Sequence, residues 1–136
     1  MMVEILARRY RCLPCGSVIV VVPHGVVARR LYSVSAIGFA LALWGLARAT
    51  AAEVRRRVCP ATILGNDAVL GWATLRRWAQ AVARGDLFPS TPDPGPLAAL
   101  RRVAAVAAAA LAASADPTTR TLAIEDRAFF GAAHGA

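Results

Sequence analysis

The spacing of apolar and polar positions changes character along the chain. Over Glu4–Arg11 the side chains alternate, with Ile5 and Ala7 on one side and Leu6, Arg8 and Tyr10 on the other, the two-residue repeat of an extended strand. Ser17–Val22 is a nearly unbroken β-branched run closed by Pro23, the strongest strand signal in the sequence. Cys12-Leu13-Pro14-Cys15-Gly16 lies between the two and predicts a tight turn, hence a β-hairpin, and His24-Gly25 ends the second strand.

From Ser33 onward the period becomes helical. Val34, Ile37, Leu41 and Trp44 share one face, with Ser33 or Ser35 placed to cap the start. Gly45 and a Leu46–Ala49 link lead to Thr50-Ala51-Ala52-Glu53, a capping box in which each side chain satisfies the other residue's free amide. A short helix over Ala51–Val58 follows, ended by Cys59-Pro60. Residues 59–71 read as irregular, with a turn at Gly65-Asn66-Asp67. Trp72–Arg84 is the clearest amphipathic helix: Leu75, Trp78, Ala79 and Val82 on one face, Arg76, Arg77, Gln80 and Arg84 on the other. Leu87–Pro96, with its four prolines, reads as a linker. Leu97–Ser114 reads as an Ala-rich helix begun by Pro96 and stopped by Asp116-Pro117, and Leu122–Phe130 as a short docking helix, with His134 in a disordered tail.

The expected fold is mainly α: an N-terminal β-hairpin of zinc-knuckle type (residues 1–31), a helix-turn-helix-like helical domain (32–86), the linker (87–96), and a long Ala-rich C-terminal helix with its tail (97–136). Its 136 residues suffice for one buried core. The uncharged apolar-rich runs, Val34–Ala47 and Val103–Ala115, fall short of the ~20 residues a membrane span needs, so no span is expected. Three cysteines and an N-terminus carrying Glu4, Arg8 and Arg9 predict a reducing, cytoplasmic setting.

Charge changes the picture. The net charge is +8 and all 16 basic residues are arginine, a bias that GC-rich codon usage explains but that still has a physical consequence. Guanidinium groups fork onto phosphate oxygens and guanine edges. Residues 1–60 hold nine arginines against Glu4 and Glu53, whereas residues 92–136 are neutral, so a polyanionic partner should meet the first half. The helical order, ending in an Arg/Gln-faced helix, predicts duplex DNA binding: Arg76, Arg77, Gln80 and Arg84 toward the major groove, with Arg55, Arg56, Arg57, Arg8, Arg9 and Arg11 on phosphates. The 59–71 stretch is much longer than the 3–4-residue turn of a helix-turn-helix. A solvated face on an ordinary helix would carry the same arginines.

Arg8-Arg9-Tyr10-Arg11-Cys12-Leu13-Pro14-Cys15-Gly16, Val22-Pro23, Arg29-Arg30-Leu31-Tyr32-Ser33 and Thr74-Leu75-Arg76-Arg77-Trp78 together resemble transposase-associated bacterial proteins that pair a zinc ribbon with a helix-turn-helix. The resemblance covers roughly residues 5–85. It implies zinc on four thiolates, Cys12 and Cys15 being one pair, and a second pair upstream of the first strand that this sequence does not contain. The expectation is therefore either a truncated start or lost metal binding. A patchwork of Cys12, Cys15, His24 and Cys59 matches no common zinc spacing, and the alternative is a relic turn with free thiols.

Catalysis finds no support. The eight acids are scattered, mostly at caps and turns, whereas two-metal nuclease chemistry needs converging carboxylates. A non-enzyme is expected. Trp44, Trp72, Trp78 and Phe39 read as core, with Trp72 the one candidate for stacking on exposed bases. The competing reading is a non-DNA interaction module or decayed gene remnant, in which the Leu97–Ser114 helix mediates self-association or partner docking.

Overall fold

A computed structural model describes residues 8–21, 32–59 and 72–134. The remaining positions, among them His24, the Arg29–Leu31 motif and the Gly65-Asn66-Asp67 turn, lie outside the described residues. Two short strands, β1 (Arg8–Arg11) and β2 (Val18–Val21), pair antiparallel with Arg8 opposite Val21 and Arg11 opposite Val18. The other regular elements among the described residues are helical: α1 (Val34–Gly45), α2 (Ala51–Val58), α3 (Ala73–Ala83), α4 (Leu100–Ser114), a 3₁₀ turn (Pro117–Thr121) and α5 (Ile124–His134). The protein is mainly helical.

The helix starts follow local chemistry. The Ser33 hydroxyl accepts the Ala36 amide at 3.2 Å. At α2 the capping box is complete, with the Glu53 amide on Thr50 Oγ1 and the Thr50 amide on Glu53 Oε2. By contrast, α4 begins at Leu100, three residues later than the proline pattern predicts, and has no side-chain cap.

Helix α1 is the centre of the fold. Val34, Ile37, Gly38, Ala40, Leu41, Ala42 and Leu43 are buried around nearly its whole circumference, because α2, α3, α4 and α5 all pack on it. The pairs α1–α4, α1–α5 and α4–α5 form the tightest part, and each seam closes over a glycine. A Cβ at Gly38 of α1 would stand 2.8 Å from the Ala132 Cβ of α5. One at Gly45 would run into the α4 backbone at Ala104 and Ala105, and one at Gly131 of α5 into the Leu111 carbonyl of α4. Alanines 104, 108, 112 and 128 line the same seams with little bulk, so the helices gain dispersion contact through close approach rather than through large side chains.

Two expectations are corrected. The 87–96 segment is not a free linker: Leu87 and Phe88 are 4% and 3% exposed and belong to the common core. Phe88 holds a left-handed φ of 51° while its carbonyl accepts both the Thr91 amide and hydroxyl, at 3.0 and 2.8 Å. Nor is the end of the chain disordered through His134, since α5 extends to that residue and docks on α1 and α4.

Replacing Gly131 or Gly45 with alanine should lower stability by roughly 1–3 kcal/mol or more, as overpacking against unyielding backbone does. Gly38→Ala should cost less, since its Cβ would overlap less, at 2.8 Å from the Ala132 Cβ and 3.0 Å from the Ala128 carbonyl oxygen. Chemical denaturation of the three variants tests the order.

Candidate nucleic-acid interface

The amphipathic division of α3 is realised. Leu75, Trp78, Ala79, Ala81 and Val82 are buried, and Arg76, Arg77 and Gln80 are exposed on the opposite side. The buried side is held by an aromatic cluster. Tyr32, Trp72 and Trp78 meet edge to face in all three pairings, with centroids 5.1–5.7 Å apart, the geometry favoured by ring quadrupoles. This cluster fastens the start of α3 to the segment leading into α1. Trp72, only 5% exposed, takes its place in the core as expected, and the alternative of a base-stacking platform falls with that burial. Burial and then a hydrogen bond with the Cys59 side chain push the Tyr32 hydroxyl up to about 12, so Tyr32 stays neutral at ordinary pH.

The predicted groove-facing set is not uniform. Arg84 Nε donates to Asp86 Oδ2 at 2.9 Å, which neutralises its charge locally, although exposure on both sides keeps the pair weak. Arg76 and Arg77 make no ion pair among the described residues. These two arginines and Gln80 form the outward basic face of α3.

The phosphate-contact set divides similarly. Arg57 leans over the Phe39 ring at 5.2 Å and reaches Glu125 at 4.0 Å, so it also has a packing role. Arg55 is half-buried, whereas Arg56, Arg9 and Arg11 are exposed. Arg8 contributes backbone pairing with Val21. Two arginines from the neutral C-terminal third are structural. Arg101 donates to the Ala49 carbonyl at 2.7 Å while lying 5.6 Å over Trp44. Arg127 donates to the Ala112 carbonyl at 3.1 Å, near the carbonyl end of α4 where a cation is favoured.

Sequence reasoning passed over Arg48. The chain leaves α1 with both Leu46 and Ala47 amides on the Ala42 carbonyl and the Ala49 amide on that of Leu43. Between them Arg48 sits at φ 57°, a left-handed conformation costing a β-carbon-bearing residue about 1–2 kcal/mol. It borders an open depression of about 520 Å³ lined by Leu43, Ala47, Ala49, Glu53, Arg56 and Arg57. Glu53 is tied to the Thr50 amide and hydroxyl at 2.7 and 2.8 Å, and these bonds, with a smaller contribution from Arg56, lower its carboxyl pKa.

At the hairpin turn the Cys12 amide donates to the Ser17 carbonyl at 2.8 Å and the Gly16 amide to the Cys12 carbonyl at 2.9 Å, with Gly16 at φ 71°. Cys12, Cys15 and Cys59 are free thiols. Among the described residues no three His, Cys, Asp or Glu side chains converge as a metal site. Cys12 and Cys15 amount to half of a tetrahedral zinc set, and Cys59 is engaged with Tyr32. Among the described residues these do not complete the four-thiolate site the resemblance implies. Among the described residues no helix is long and apolar enough to cross a membrane.

Compared with models of protein families, with curated proteins and with solved structures, the chain shows no significant match.

Cys15 supplies a direct check on the turn. Its Sγ lies 3.2 Å from the Ser17 hydroxyl, and hydrogen bonds to Ser17, aided by one to Cys12, lower its pKa to about 7. The thiolate is the nucleophile, so iodoacetamide labelling of Cys15 should rise with pH to half its plateau rate near 7. Ser17→Ala should move that midpoint upward, as followed by mass spectrometry.

Proposed function

We propose that this protein binds duplex DNA, in the manner of a transposase-related or mobile-element-associated protein, and has no catalytic role. The observation that carries the reading is the two-sided character of α3. One face is locked into the core through Leu75, Trp78 and Val82, and the other presents Arg76, Arg77 and Gln80 to solvent. Arginine bonds guanine O6 and N7 in bidentate fashion, and glutamine bonds adenine N6 and N7. A helix held rigidly from behind keeps such side chains in register with base edges.

In this reading α3 is the groove helix, and α1 is the support that also carries α2. The helix-turn-helix character is looser than the usual motif: α2 makes its main contacts with α1 rather than with α3, and thirteen residues (59–71) separate α2 from Trp72. The arginines of α2 and of the hairpin add phosphate contacts, with zinc on Cys12 and Cys15 an accessory proposal that binding does not require.

The competing reading is self-association or partner docking through the Ala-rich helix, and one observation weighs on it: much of that helix's apolar side is occupied within the chain. Val103, Ala104, Ala107, Ala108, Leu111 and Ala112 of α4 are buried within the chain's own core.

Duplex binding over a salt series, with zinc quantified on the same sample, tests the proposal. The logarithm of the affinity should fall with the logarithm of salt by about 0.9 per phosphate contact. Replacing Arg76 and Arg77 with alanine should cost about 1–3 kcal/mol for each base-reading arginine. Unchanged affinity in that double variant would remove α3 from the interface, and salt-independent association with another protein would favour the competing reading.

A further inference from the structure

The depression beside the exit of α1 combines three features that the core does not require. Its rim carries Arg48, Arg56 and Arg57 against the single carboxylate of Glu53. Its wall includes Leu43, Ala47 and Ala49, apolar surface that keeps water off one side of an incoming ligand and strengthens charge attraction there. Arg48 is held in a left-handed conformation where glycine would be free of strain. Left-handed residues other than glycine recur at ligand-binding sites, where the surrounding structure holds them in place.

The four charges are not equivalent. Glu53 is committed to the Thr50 cap, and Arg57 is drawn toward Phe39 and Glu125. Arg48 and Arg56 are exposed and form no salt bridge among the described residues. Two forked cations flanking an open hollow, with a net positive rim, match a tetrahedral dianion or phosphodiester, which guanidinium groups grip through paired N–H bonds.

We propose that this depression is a phosphate seat formed by Arg48 and Arg56, and that the phosphate it takes is one of the nucleic-acid backbone. The second half of that statement rests on the duplex-DNA reading. The first half does not, because inorganic pyrophosphate probes the seat without DNA.

The test uses the full chain and the pair of substitutions Arg48→Gly and Arg56→Gln. Glycine accepts the φ of residue 48 and Arg56 is exposed, so the double variant should keep the native circular dichroism and melt no earlier than the parent. Its duplex affinity should drop on the order of tenfold at low salt, with the salt slope shallower by about two phosphate contacts. Titration with pyrophosphate should shift arginine Nε–Hε resonances of the native protein, and the Arg48→Gly single variant should lose the response. Native affinity and slope in the double variant would overturn the backbone assignment while leaving α3 as the DNA-reading element. If the native protein binds no duplex, the DNA reading fails, and a pyrophosphate response lost in Arg48→Gly would assign the seat to a free phosphate ligand. A native protein that responds to neither probe would overturn the seat itself.

Discussion

Three glycines set how close the helices of this protein come. Gly38 lies in the α1–α5 seam, Gly45 in the α1–α4 seam and Gly131 in the α4–α5 seam, and at each a β-carbon would meet a neighbouring helix. The remaining architecture follows from that proximity. Alanine can serve as the main core residue of α4 only because the backbones approach closely enough for methyl groups to fill the gap. With larger spacing, the same alanine surface would leave voids that no side chain in the sequence could fill.

Close approach also decides which arginines stay available. Arg101 and Arg127 reach across seams to carbonyl groups of neighbouring segments, and Arg57 is drawn over Phe39. Their alkyl stems cover apolar surface while their charge finds backbone acceptors or rings. Arg76, Arg77, Arg48 and Arg56 stand on surfaces that face away from the core. A chain with a single type of basic residue thus uses it in two ways, as a clasp between helices and as outward charge. Position relative to the three-helix centre separates the two.

Much of the local structure was legible because it depends on interactions between residues close in sequence. The Thr50–Glu53 box and the Ser33 cap need only a few neighbouring residues, and the apolar stripe Leu75, Trp78, Ala79, Val82 is buried as its spacing predicts. The candidate face was legible for the same reason, since burying one side of an amphipathic helix exposes the other. The pairing of Arg84 is not legible because its partner, Asp86, lies beyond the helix end, where helical periodicity no longer predicts direction. The burial of Trp72 follows its place at the apolar edge of α3, but its enclosure by Tyr32, from a distant part of the chain, is not legible in the sequence. The 87–96 segment was read from its prolines, and the burial of Leu87 and Phe88 depends on surfaces brought from elsewhere.

Taken alone, the sequence determined the helical class, the principal helices with their caps, and the excess of positive charge in the first half, because period, capping and composition act over a turn or two of chain. Only the tertiary structure decided that α1 is the central helix, that the Ala-rich helix spends its face internally, and that Gly45 and Gly131 are sites of close packing. It also decided that Arg48 borders a basic hollow with Arg56. Each of these depends on which surfaces meet across tens of residues, and side chains as small as glycine and alanine carry no pattern that names their partner.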